Sequence, residues 1–182
     1  MKKQTKITLA IFAVVITASF IMRLVPHPSN FIPIGALALL SGVYIKSRWG
    51  ILLPLVIMAA SDLIIGMHSL VLFTWGSFLL FGVIGWWIRK NKNILRIMGG
   101  SLAGSIIFFL VTNFAVWVFT PLYSKTVIGL FDSYYMAIPF FRNAALGDLF
   151  YAGIFFGVFE IAYYYLAVRE KAGVKQANIA VK

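Results

Sequence analysis

The sequence predicts an all-α polytopic membrane protein, a bundle of six transmembrane helices, and three observations carry that expectation. Hydrophobic residues make up 62% of the 182-residue chain and charged residues only 12%, against about 45–50% and about 25% in a soluble domain. The apolar residues gather in stretches that reach or approach the ~20-residue helix needed to cross a hydrocarbon core about 30 Å thick. Basic residues fall in clusters at alternate connections rather than evenly along the chain. So much apolar surface cannot be hidden inside a sphere this small, which excludes a water-soluble monomer, and the same composition excludes disorder.

Taken in order, the expected spans are 7–25, 31–45, 50–66, 69–88, 97–120 and 146–168, all within one membrane domain covering 1–182. The first carries a lone charge, Arg23, near its end. The second is short and contains Pro33, Gly35 and Gly42; the third contains Pro54 and, late, Asp62. The fourth is free of charge and rich in aromatics, and the fifth opens with Gly99, Gly100 and Gly104. Gly35, Ala36, Ala38, Ser41 and Gly42, like Gly99, Gly100, Ala103 and Gly104, are small enough to let helices approach closely. The sixth starts near Asp148 and encloses Glu160. Segment 121–145 is aromatic and interrupted by Pro139; it reads as a connection capping the bundle, too broken for a span and too apolar for a free loop.

Charge placement orients these spans. Lys2, Lys3 and Lys6 precede the first, Lys46 and Arg48 follow the second, Arg89, Lys90, Lys92 and Arg96 follow the fourth, and Arg169, Lys171, Lys175 and Lys182 follow the sixth. Lys and Arg are retained on the cytoplasmic side, so six spans with both termini in the cytoplasm satisfy every connection, in a bacterial cytoplasmic membrane. Arg23, Lys125 and Arg142 fall on the other side. The formal charge of +11 is then a topology signal, and a nucleic-acid partner is not needed to explain it. Lys2-Lys3 followed by an apolar run and Thr17-Ala18-Ser19 also resembles a secretory signal. The run continues through Phe20-Ile21-Met22, which favours a retained helix.

The remaining polar residues collect at the outer helix ends. Arg23 and Asn30 flank the first connection, Asp62 and His68 the next, Asn113 and Trp117 end the fifth span, and Arg142, Asn143 and Asp148 enter the sixth. These nine are the candidate substrate-binding residues of an outward pocket. A charge in hydrocarbon costs about 2.5–3.5 kcal/mol unless protein or water faces it, so Asp62 is expected at the interface or paired with Arg23 or Arg142. Glu160, deeper in the sixth span, is expected to pair with Lys46, Arg48 or Arg89, or to bond a tyrosine. Catalytic machinery is not legible. There is no cysteine, His27 and His68 lack metal-ligand spacing, and neither a Gly-x-Ser-x-Gly elbow nor a nucleotide-binding glycine motif occurs. The expectation is a protein that is not an enzyme, with no catalytic residue, metal or cofactor. No inverted repeat of the kind found in secondary transporters is visible.

Four motifs carry a resemblance. They are the string from Arg23 to Ala36 (RLVPHPSNFIPIGA), Ser61-Asp62-Leu63 with Gly66, Thr112-Asn113-Phe114-Ala115-Val116-Trp117, and Ala137-Ile138-Pro139-Phe140-Phe141-Arg142-Asn143 with Gly147-Asp148. Together they resemble an uncharacterised family of small bacterial integral membrane proteins, itself similar to the substrate-binding S components of energy-coupling factor (ECF) vitamin transporters and distantly to the BtuM-type cobalamin uptake family. The resemblance implies a six-helix bundle that binds a vitamin-like micronutrient near its outer face. It also implies an energising partner module of a transmembrane subunit plus ATPases, and contact with membrane lipid. BtuM-type proteins can ligate cobalt through a cysteine; here His68 would have to substitute. S components dock through Ala-x-x-x-Ala in their first helix, for which this chain offers Ala13-x-x-x-Thr17. The other functions compatible with the residues are a non-transporting membrane assembly or accessory protein and a small membrane enzyme.

Overall fold

The computed structural model describes residues 3–180, with side chains described for residues 5–166 and 168. Every regular element among the described residues is helical: α1 (Lys3–Leu24), α2 (Ile34–Tyr44), α3 (Leu53–Ile65), α4 (Val71–Ile88), α5 (Ile94–Phe119) and α6 (Val127–Ala180), with short 3₁₀ turns at Arg48–Leu52 and Arg89–Asn91. Five helical stretches are long and apolar enough to cross a membrane, namely Thr5–Leu24, Arg48–Ile65, Val71–Asn91, Ile94–Phe119 and Val127–Leu166.

The sixth apolar helix, α2, has only 11 residues, about 16 Å at 1.5 Å per residue, roughly half a hydrocarbon core. It serves as the centre of the bundle: Ile34, Ala36, Leu37, Ala38, Leu39 and Leu40 are wholly buried. A helix apolar all round is one enclosed all round, and α2 meets each of the other five helices. Its closest neighbour is α4, where glycines bring the backbones together. A Cβ at Gly42 would lie 2.3 Å from the Gly82 carbonyl oxygen, and one at Gly85 2.2 Å from that of Leu39. At its C-terminus, where helix carbonyls lack intrahelical donors, the Arg89 guanidinium donates to the carbonyls of Gly42, Ile45 and Lys46. Gly35, Gly100 and Gly104 likewise have no room for a side chain, whereas Gly99 faces open space and Ala103 is exposed.

The largest departure from the sequence reading concerns 121–145. It is not a broken cap: after a short turn, α6 begins at Val127 and runs through Pro139 without interruption. α5 and α6 form an antiparallel hairpin. The Tyr134 hydroxyl donates to the Leu110 carbonyl at 3.0 Å, Phe109 and Phe141 pack at 4.9 Å, and Ser105 meets Asp148. The turn is closed by the Trp117 indole N–H, 2.9 Å from the Ser124 carbonyl oxygen, and by Lys125, which donates to the Trp117 and Thr120 carbonyls. The sixth crossing therefore starts about one proline-bearing segment earlier than 146. The 40-residue stretch Val127–Leu166 spans about 60 Å and reaches past α5 at the end opposite this turn. Proline removes one backbone donor and crowds the preceding turn, a cost that packing on α5 offsets here.

Candidate functional site

One end of the bundle gathers the C-termini of α1, α3 and α5 and the N-termini of α2, α4 and α6; the other end carries Lys46, Arg48, Arg89, Lys90, Lys92 and Arg96. At the first end, Gly66 (φ 111°) terminates α3 in a conformation L side chains rarely adopt, and the chain turns through His68 into α4. Between α4, α5 and α6 lies a cleft of about 240 Å³, walled by Leu70, Phe108, Phe109, Val116, Phe140 and Phe141 and edged by Asn30, His68, Thr74, Thr112 and Asn113. Beneath it a smaller cavity of about 20 Å³ shares Asn30, Phe108 and Ala144 with the cleft and adds Ile32, Phe78 and Asp148. That space suffices for about one water.

Asp148 is the floor. It is 6% exposed, about 21 Å of helix rise from the α5 end, at the level of Ser105. The Ser105 hydroxyl lies 2.7 Å from one carboxylate oxygen and 3.0 Å from the Ser101 carbonyl. A hydroxyl has one hydrogen, so these two acceptors share it. The other carboxylate oxygen, Oδ1, accepts no hydrogen bond among the described residues, and no described cation pairs with Asp148. Gly35 makes room for it: a Cβ there would lie 2.2 Å from Oδ1 and 2.9 Å from the Phe81 ring.

The polar groups on the cleft wall have already used hydrogens on their own helices. Thr74 donates to Leu70 at 3.3 Å, Thr112 to Phe108 at 2.7 Å, and the Asn113 amide to Phe109 at 2.8 Å. The hydroxyl oxygens keep only acceptor lone pairs, and Asn113 keeps its side-chain carbonyl and one amide N–H. Asn30, at φ 64°, and His68 are exposed at the mouth.

Asn30, His68, Asn113 and Asp148 thus converge on the cleft and its floor. Arg23 and Asp62 meet one another beside it. Asp62, 1% exposed, is ion-paired with Arg23 and accepts from the Trp75 indole N–H at 2.8 Å, and Arg23 also contacts the Met58 sulfur. This tie joins α1, α3 and α4; of the two partners expected for Asp62, Arg23 is the one found. Trp117 holds the α5–α6 turn. Arg142 and Asn143 do not line the cleft. Arg142 is exposed, makes no hydrogen bond or ion pair among the described residues, and shares an outward stripe of α6 with Tyr135, Ile138 and Leu146. At the basic end, Glu160 pairs with Lys92 and accepts from the Tyr44 hydroxyl at 2.5 Å, with Lys92 4.6 Å above the Tyr44 ring. The tyrosine expectation for Glu160 holds. Its cation is Lys92 rather than Lys46, Arg48 or Arg89, because Arg89 is taken up by α2.

Sequence reasoning missed Ser105, Trp75 and Phe108. Ser105 sits in an apolar helix with no local motif, and its role exists only because α6 brings Asp148 across from it. No group of three or more metal-ligating side chains occurs among the described residues.

These helices, apolar enough to cross a bilayer and enclosing a cleft with a buried carboxylate, define a polytopic α-helical membrane protein. Residues 2–171 match the family of unknown function DUF6580, and the chain belongs to it. No curated protein and no solved structure matches it.

Proposed function

We propose that this protein is a substrate-binding membrane subunit for uptake of a small, vitamin-like micronutrient, similar in role to ECF S components. What supports this reading above all is the cleft of about 240 Å³ that ends on an unpaired buried carboxylate. Ionisable groups inside a membrane protein are costly and by default mark a pathway or binding site. Basic residues gather at the far end, so under the positive-inside rule the cleft opens away from the cytoplasm of a bacterial cytoplasmic membrane, with both termini inside. Its volume lies below the roughly 300–1,000 Å³ of pockets for drug-sized ligands. It therefore suits a compact molecule, and cobalamin is far too large for it. An energising module of a transmembrane subunit plus ATPases is the partner this role calls for.

Mass spectrometry of small molecules extracted from the purified protein tests the reading. A stoichiometric molecule should be retained, and adding it in excess should raise the melting temperature as binding linkage requires. His68→Ala and Asn113→Ala should lower retention without loss of helix content, while Arg142→Ala should not. Protein that carries nothing and responds to nothing would support the other reading, a non-transporting assembly or accessory protein. That reading draws on the bare Arg142 in the outward stripe of α6, where a partner helix would supply an acceptor.

A further inference from the structure

We infer that the molecule taken by the cleft is a small organic ammonium compound. Its cationic end is held by Asp148, directly or through the single water the floor cavity has room for, and its apolar body lies against the phenylalanine wall. This rests on the binding reading above and names the class of substrate.

Three independent features agree on the sign of the charge. The only acidic group among the described residues that line the cleft or its floor is Asp148, which is more than nine-tenths buried, borders the floor cavity and has one oxygen with no hydrogen bond. Burial of an unpaired charge is unfavourable, and a bound cation relieves it. Secondly, no lysine or arginine lines the cleft or its floor, and the Thr74 and Thr112 hydroxyl hydrogens are held by helix carbonyls, so that these two oxygens are left as acceptors. A buried anionic ligand calls for a cation to pair with, and the lysine and arginines of this end are engaged or turned away. Arg23 is paired with Asp62, Lys125 bonds backbone carbonyls, and Arg142 points outward; the donors left are the neutral amides of Asn30 and Asn113 and the ring of His68 at the mouth. Thirdly, the walls are aromatic. Phe78 and Phe108 border the floor, and Phe109, Phe140 and Phe141 the cleft. Aromatic faces attract ammonium groups within about 6 Å, whereas a hard metal ion needs about six oxygen ligands, which this floor does not supply.

The test uses the full-length protein in detergent with five probes: choline and ethylammonium, the neutral choline isostere 3,3-dimethyl-1-butanol, propionate, and sodium chloride alone. Melting temperature and calorimetric affinity are read for the unaltered chain, for Asp148→Asn and for Arg142→Ala. Asp148→Asn keeps the size of the side chain and its contact with Ser105, and circular dichroism verifies that it folds. A saturable rise in melting temperature is expected from at least one ammonium probe, with no comparable rise from the neutral, anionic or salt arms. Asp148→Asn should weaken that binding about 30-fold or more, the loss that follows removal of one partner of a buried charge pair, and Arg142→Ala should bind as the unaltered chain does. The inference is overturned if the neutral isostere, propionate or sodium chloride stabilises as well as the ammonium probes do. It is equally overturned if neither ammonium probe binds or if Asp148→Asn retains full affinity. A co-purifying neutral or anionic molecule would sink the charge assignment and leave the binding reading standing. Absence of any retained molecule, together with no response to any probe, would remove both.

Discussion

At the scale of single residues, two buried carboxylates have opposite circumstances. Asp62 has a guanidinium and an indole N–H around it, and Asp148 has half of one hydroxyl. The first therefore behaves as a structural tie. Removing one member of a buried pair costs about 3–5 kcal/mol, while replacing both by apolar groups is often neutral. Asp62→Leu or Arg23→Met alone should lower the free energy of unfolding by that amount in a detergent denaturation series, and the double variant should recover most of it. Equal losses in single and double variants would show that the ion pair is not the relevant contact. Gly35 supports the second carboxylate. Gly35→Ala drives a methyl into Asp148 and the buried Phe81 ring, and overpacking of this kind costs about 1–3 kcal/mol. Gly76→Ala is the control, since that glycine faces open space and loss of a mid-helix glycine is worth about 0.5–1 kcal/mol in favour of the helix. Thermal melts should thus move in opposite directions for the two. The sequence exposed these carboxylates as unusual, because a charge in an apolar run is visible at once. It did not disclose which was satisfied, since Trp75 and Ser105 come from other helices.

Helices tell a similar story. α1, α4 and α5 were legible to within a few residues because apolar runs of that length have no other stable use. α3 was legible at its end, where Gly66 stops it, and its start is instead a 3₁₀ turn at Arg48–Leu52. α2 was legible as an apolar helix but not as the core, because burial on every face depends on the five helices that surround it. α6 was misjudged at Pro139: its local cost was visible in the sequence, whereas the compensating contacts of Phe141 with Phe109 and Tyr134 with Leu110 are long-range. Magnitudes then separate two basic residues only three positions apart. Arg89 donates to three carbonyls at the α2 terminus, of which that of Gly42 belongs to a buried residue, and leaving a buried acceptor bare costs about 1–3 kcal/mol. The Lys92–Glu160 pair is 36% and 49% exposed, a setting in which ion pairs contribute about 0–1 kcal/mol. Arg89→Leu should consequently lower stability clearly more than Lys92→Ala, as read by differential scanning fluorimetry; the reverse order would mean that the basic end is held by Glu160 rather than by the cap on α2. Arg142 sits at the depth of Phe109, about 15 Å below the α5 terminus, where a bare cation costs about 2.5–3.5 kcal/mol on insertion scales. Arg142→Leu is expected to leave stability unchanged or raised in detergent.

On the scale of the whole molecule, the architecture is one short buried helix wrapped by five longer apolar ones, with an aromatic-walled, polar-edged cleft at one end and a basic belt at the other. That polarity was the most legible property of the chain, since it follows from where lysines and arginines lie. The cleft was partly legible: Asn30, His68, Asn113 and Asp148 were identifiable as hydrophilic residues at one set of helix ends. Its aromatic wall was not, because phenylalanines facing a cleft and phenylalanines facing lipid look alike in sequence. The chain contains no cysteine, so single cysteines can be introduced and labelled without background. The most direct measurement is labelling of His68→Cys and, separately, Lys90→Cys with a membrane-impermeant maleimide in intact spheroplasts. The account predicts that His68→Cys reacts from outside and Lys90→Cys only after lysis. Reaction of Lys90→Cys in intact cells with His68→Cys protected would contradict it, placing the cleft on the cytoplasmic side, where it could not collect a nutrient from outside.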